Sequence, residues 1–139
     1  MLVDARGVPL SLVASGANVH DVKLLEETLD AIVVTKPVAT DEAPQHLCAD
    51  AGYAGKTALQ SVIDRNYQPH IKGRREESKE KREQPGFKAR RWVVERTHSW
   101  LNRFRKLLVS FEKTKESFEA LLALASALIC WRQTISIYG

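Results

Sequence analysis

Cysteine is scarce in this chain: Cys48 and Cys130 are the only two, far apart and each inside an apolar run. Two such residues make no disulfide framework and read as reduced, buried thiols, which favours a cytosolic protein. Histidine is as thin. His20, His46, His70 and His98 stand at no metal-ligand spacing from one another or from the cysteines, which disfavours a zinc site, and each reads as a local cap or surface residue. A phosphate-binding glycine loop and a Gly-x-Ser-x-Gly elbow are both missing, which makes nucleotide hydrolysis and acyl transfer poor candidates. The start, "MLVDARGVPL", has no basic region ahead of an apolar stretch, and the longest apolar run, 120–131, is short for a bilayer. The expectation is a soluble, cytoplasmic protein without an export signal or a membrane partner.

What is present is an ordinary globular balance in 139 residues, with 44% apolar and 27% charged, enough for one domain with a core. The formal net charge of +4 suits a polyanionic partner without proving one.

Apolar runs flank Arg6-Gly7, with Pro9 just beyond, so the spacing predicts a hairpin over about 2–14. Val22, Leu25, Leu29 and Ile32 then recur at helical spacing, with Asn18 or Asp21 available as an N-cap. "HLCAD" reads as a short strand, with Cys48 and Asp50 on one side and Leu47 and Ala49 on the other. A second helix carries Ala58, Leu59, Val62 and Ile63 to about Asn66, and "QPHIKG" resumes an extended path. Strand, helix, strand within this distance predicts a βαβ unit, and with it a parallel part in a mixed sheet. Residues 72–91 hold almost no apolar side chain and read as a flexible, solvated, basic linker. Two C-terminal helices follow, over about 89–108 and 115–134.

Two places carry candidate chemistry. Asp50 stands at the carboxyl end of a strand, where open α/β folds place ligands; Gly52 permits a tight turn directly after it, and Tyr53 could either pack over the strand end or touch a substrate. The bland alternative is that Asp50 only caps the next helix or satisfies turn amides. The second place is "RRWVVERTHSWLNRFRKLL". As one helix it buries Val94, Leu101, Phe104 and Leu108, flanked by Val93, Trp100 and Leu107, and aligns Arg91, Glu95, His98, Asn102 and Arg105 in a polar stripe. Glu95 could be ionised and held in place there, or it could form an ordinary surface pair with Arg91. Arg90, Arg96, Arg103 and Lys106 beside Trp92 and Trp100 suit phosphate contacts and base stacking.

Together, "LCADAGYAGK", "RRWVVERTHSWLNRFRKL" and "SFEKTKESFEALLALASALICWR" resemble the C-terminal part of bacterial insertion-sequence transposases of the DDE class, in the IS-four and IS-five superfamily. The resemblance runs over nearly the whole chain, including "LVDARGVPLSLVASGANVHD". It implies a partial RNase H-like α/β fold for residues 1–139, with 72–90 as linker and 91–134 as the helical part carrying the glutamate. In that family an Asp-x-Gly-Tyr aspartate is the second catalytic carboxylate, matched by Asp50, Gly52 and Tyr53. The third is a glutamate in a Tyr-x2-Arg-x3-Glu-x6-Lys signature, matched in its middle by Arg91 and Glu95; Lys88 stands where the family has Tyr, and Asn102, with Arg103 next to it, where it has Lys. The resemblance therefore implies Asp50 and Glu95 as catalytic and metal-binding groups for Mg2+ or Mn2+, with Arg91, Arg96, Arg103, Trp92, Lys88 and Asn102 at the DNA. Hard divalent ions prefer oxygen ligands and can polarise both the attacking and the leaving oxygen of a phosphodiester, which is why carboxylates serve.

Asp4, the only acid before Asp21, sits in the hairpin turn and reads as a turn residue, so the family's first aspartate is expected in an upstream segment. The implied function is DNA transposition, by metal-dependent cleavage and strand transfer at insertion-sequence ends. It would act on double-stranded DNA near the nucleoid, as a homo-oligomer or with an upstream half. The alternative is a non-catalytic DNA-binding or assembly module derived from such an enzyme.

Overall fold

The computed structural model describes residues 1–71, 92–109 and 111–138. The expected linker, with Lys88 and Arg91, lies outside them. The described chain is mixed α/β and divides into two compact units, one formed by 1–16, 27–33 and the residues from 92 on, the other by 17–26 and 34–71.

In the first unit, β1 (Leu2–Val3) pairs antiparallel with β2 (Pro9–Ser11), as the sequence predicts. Asp4 closes the connection: its Oδ1 accepts from the amides of Arg6 and Val8, each at 2.8 Å. One oxygen of that carboxylate thus serves two backbone amides of the turn, in line with the turn reading of Asp4. Gly7 adopts φ +82°, a left-handed conformation that glycine takes without strain.

Helix α3 spans Trp92–Leu101, α4 Arg105–Leu108 and α5 Lys115–Tyr138. The expected single helix to about 108 is thus two pieces. The break comes because the amides of Arg103 and Phe104 bond to the carbonyls of Trp100 and Leu101, tightening the last turn, after which Phe104 is extended at ψ 100°. The buried line on α3 is Val93, Thr97 and Leu101, and Leu108 is exposed. Leu101, Ala125 and Ile129 form the core between α3 and α5, with Met1, Trp100, Phe104, Leu107 and Leu122 packed on it. Thr97, fully buried, interrupts the apolar line and ties α3 to the hairpin: its hydroxyl donates to the Gly7 carbonyl at 2.6 Å.

The second unit is the βαβ element. A one-turn 3-10 helix (Asp21–Leu24) runs into α1 (Leu25–Asp30), at whose start the unit ends. His20 precedes the turn without a side-chain cap, so neither Asn18 nor Asp21 caps the helix as expected. β3 (Gln45–Ala49) leads through α2 (Lys56–Ile63) to β4 (Tyr67–Ile71), which pairs with β3 in parallel. Leu47, Ala58, Val62 and Ile71 are buried, and the Ser61 hydroxyl donates to Glu26. Asn66 takes φ +61° at the end of α2, a conformation asparagine tolerates. The strand alternation that buries Leu47 turns His46, Cys48 and Asp50 outward. Cys48 is therefore exposed, against the expectation of a buried thiol, and Cys130 is half-buried on α5.

One stretch of α5, Lys115–Ser136, is long and apolar enough by length and composition to cross a membrane. The uninterrupted run 120–131 had not indicated this, because the helix adds Phe118 and Ile135 to it. Core helices pass the same test; Ala125 and Ile129 are buried here, while Leu124, Trp131 and Ile135 of the same stretch are exposed.

A Cβ on Gly7 would lie 2.9 Å from the Thr97 hydroxyl oxygen and force an unfavourable φ on the turn. Thr97→Val, equal in shape, leaves the buried Gly7 carbonyl without its donor and is expected to cost about 1–3 kcal/mol. Gly7→Ala is expected to cost at least as much, with urea denaturation as the measurement. Wild-type midpoints in both variants would show that the hairpin is not held this way.

Candidate functional site

Asp50 follows β3 directly and starts a one-turn 3-10 helix, Ala51–Tyr53. Its backbone is extended, and its Oδ1 accepts from the Gly52 amide at 2.9 Å. The bland reading thus holds for one oxygen, since the carboxylate does satisfy a turn amide. It remains exposed, held in a defined orientation at the carboxyl end of a parallel strand. Gly52 keeps that orientation possible: a Cβ there would stand 3.0 Å from Asp50 Oδ1. Tyr53 is half-buried beside it. Burial raises its phenol above the ordinary tyrosine value, and the negative charges of Asp21 and then Asp50 add to the rise. Each of these effects disfavours a phenolate.

Glu95 lies in the first turn of α3, exposed, with His98 further along on the same solvated side. Asn102 and Arg105 are exposed beyond the helix end, so the polar stripe survives the break in part. Asp50 and Glu95 belong to different units, and each is described in its own surroundings. Among the described residues no three or more histidine, cysteine, aspartate or glutamate side chains group as metal ligands. The donor chemistry still suits a hard divalent ion, because Asp50 and Glu95 both offer exposed carboxylate oxygens.

Of the residues expected at DNA, Trp92 and Arg96 are brought together. Trp92, Arg96 and Trp100 follow at steps of four on α3, and the Arg96 guanidinium carbon lies 4.6 Å from the Trp92 ring centroid and 5.1 Å from that of Trp100. Arg96 also donates to the Arg6 main-chain carbonyl, while its Nε is buried without a hydrogen-bond partner among the described residues. Arg103 and Asn102 are exposed in the turn after α3. Arg6, Gly7 and Thr97 went unnoticed in the sequence as partners of this region. A threonine at the i+4 position between Val93 and Leu101, where the line should be apolar, is the signal that could have found one of them.

The histidines hold another arrangement that spacing did not reveal. His46 Nδ1 and His70 Nε2 stand 2.7 Å apart across β3 and β4, and Cys48 is the ladder partner of His70. Register between parallel strands decides this, and register is not visible in a linear spacing.

The chain matches the transposase DDE domain family over residues 47–132. It is also 38% identical, over 133 residues, to a Burkholderia cepacia protein described as a transposase for the insertion sequence element IS402. That alignment covers 94% of this chain and 61% of the relative, so the chain spans about three-fifths of the relative's length. No solved structure gives a significant match.

Because the folded phenol of Tyr53 titrates above its unfolded value, its contribution to stability is whole below pH 10 and fades as pH rises through the folded value. In a background with Tyr67→Phe and Tyr138→Phe, absorbance titration is expected to place Tyr53 above free tyrosine, and Asp50→Asn is expected to bring it down in part. A Tyr53 titration at the free value would contradict the described surroundings.

Proposed function

The chain belongs to the DDE transposase family, and from that premise we propose that it supplies two of the carboxylates and part of the DNA-binding surface of an enzyme that moves an insertion sequence. The observation that carries this reading is the exposed Asp50 carboxylate, set by the Gly52 amide at the carboxyl end of a parallel βαβ strand. Among the described residues the hairpin and the βαβ strands form two separate two-stranded sheets and not the single mixed sheet expected, so only the parallel βαβ pair supports an RNase H-like reading.

Asp50 and Glu95 would hold Mg2+ or Mn2+, which when bound polarises the attacking oxygen and neutralises charge on the leaving one. Fixing one Asp50 oxygen on a backbone amide costs the carboxylate rotational freedom before any ion arrives, so less is lost on binding. Tyr53 keeps its proton through the neutral range and adds a hydroxyl donor beside the carboxylate without adding negative charge. Lys88, Arg91, Asn102 and Arg103 would contact the phosphate backbone. Arg96 contributes its charge from a fixed position, with Trp92 alongside. A further carboxylate and the rest of the sheet would come from an upstream segment, and the working form would be an oligomer on insertion-sequence ends.

The test is nicking and strand transfer on labelled insertion-sequence ends, by the chain supplied with the upstream segment of a relative, in Mg2+ or Mn2+. Asp50→Asn and Glu95→Gln are each expected to lower the rate by about a thousandfold or more, while duplex affinity stays within about threefold. Cleavage that survives Asp50→Ala would overturn the catalytic assignment. Duplex affinity is expected to fall linearly in log–log form with salt, and Arg103→Ala to reduce the slope by about one. Salt-dependent binding with no carboxylate-dependent cleavage would favour the non-catalytic DNA-binding module.

A further inference from the structure

We propose that His46 and His70 form a two-imidazole site for a borderline divalent transition-metal ion, of the zinc, nickel and copper class, bridging β3 and β4 on the outward face of their parallel pair. Its donors differ from the carboxylates of Asp50 and Glu95, and it does not depend on the function proposed above.

The register of the strands makes the site. Gln68 is the ladder partner of His46, and His70 that of Cys48. Alternate residues of a strand share a face, so these four project together, away from the side that buries Leu47, and all four are exposed. His46 reaches diagonally across the ladder. Its Nδ1 stands 2.7 Å from Nε2 of His70, with the ring centroids 4.7 Å apart and the planes tilted by 47°.

Two imidazole nitrogens bound to one ion in adjacent positions, with metal–nitrogen bonds of about 2.0–2.1 Å, stand about 2.9–3.4 Å apart from square-planar to tetrahedral geometry. The observed pair is slightly closer than the lower value, and small rotations of two exposed side chains make up the difference. In the hydrogen-bonded pair one facing nitrogen carries a proton and the other accepts it. Moving that proton to the far nitrogen of its own ring leaves both facing lone pairs for an ion, with both imidazoles still neutral. Such nitrogens suit zinc, nickel and copper, whereas Mg2+ prefers oxygen. No three side chains group as metal ligands among the described residues, which leaves the remaining coordination positions to water. Both histidines stand on strands joined by a continuous ladder, so the backbone sets their spacing before an ion arrives and little freedom is lost on binding. The bound ion clamps β3 to β4 and, by mass action, stabilises the pair that carries Asp50.

The test is calorimetric titration of the full, untagged chain with Ni2+, and separately with Zn2+, in excess Mg2+. His46→Ala and His70→Ala are each expected to weaken binding about tenfold or more, since loss of a ligand costs at least as much as loss of its supporting partner. The double variant is expected to bind no more weakly than either single one, because removing one imidazole already destroys the chelate. Ni2+ is expected to raise the thermal midpoint of the wild-type chain and of neither variant. Cys48→Ser and Asp50→Asn are expected to keep Ni2+ affinity within about threefold, because neither removes an imidazole nitrogen. Wild-type affinity in either alanine variant, or losses that add in the double variant, would overturn the assignment. Loss of binding in Cys48→Ser or Asp50→Asn with both histidines intact would overturn it as well, by moving the ion to the thiol or the carboxylate. Should an alanine variant fail to fold, His46→Gln and His70→Gln carry the test, and unchanged Ni2+ affinity in both would overturn the site.

Discussion

The bond from the buried Thr97 hydroxyl to the Gly7 carbonyl joins positions ninety apart in sequence, and the first unit is organised around it. Next to it, Arg96 reaches the carbonyl of Arg6. Two successive helix residues held to two successive turn residues fix the rotation of α3 about its own axis. With 96 and 97 turned toward the hairpin, Glu95 lies about 200° around the helix from the buried Thr97 and so faces away from that contact. The exposure of Glu95 thus follows from contacts made by the two residues after it. Gly7 makes the approach possible, since any side chain there would meet the Thr97 hydroxyl.

The same economy governs the other unit. Asp50 leaves β3 with one oxygen held by an amide two residues on, and Gly52 supplies both that amide and the space around it. Tyr53, half-buried, stays neutral because burial, Asp21 and Asp50 all oppose its ionisation. A short stretch of backbone therefore presents one oriented negative charge beside one uncharged donor.

Period-two and glycine signals made the hairpin, the Asp4 turn and the βαβ element legible in the sequence, because each depends on residues within a few positions of one another. The break after Leu101 was not legible. Asn102-Arg103-Phe104 contains no proline or glycine, and the helical pattern of apolar residues runs straight through it to Leu108. Thr97 was read past because a polar residue on a core line is identified only by its partner, and Gly7 is ninety positions away. Cys48 was misjudged for a related reason. An apolar neighbourhood in sequence indicated burial, whereas the strand alternation that buries Leu47 turns Cys48 outward. For the site, the Asp50 turn was legible from Asp-x-Gly-Tyr. The Trp92, Arg96, Trp100 ladder was legible only as composition, and its anchor on Arg6 was not legible at all.

Among the described residues each sheet has two strands, and a two-stranded ribbon is marginal in water by itself. The helices supply what the strands lack. β1 and β2 lie against α3 and α5, where the half-buried Cys130 thiol also approaches the Pro9 carbonyl at 3.7 Å. The Ser11 hydroxyl donates to the Thr28 carbonyl at 2.6 Å, tying β2 to α1. β4 rests on α2 in the second unit, with Val62 fully buried. In both units the residue of chemical interest, Asp50 or Glu95, lies in solvent beside such a contact and takes no part in it. The scaffold is thereby set by buried apolar and hydroxyl groups, and the carboxylates can be replaced by their amides without removing a group that the packing requires.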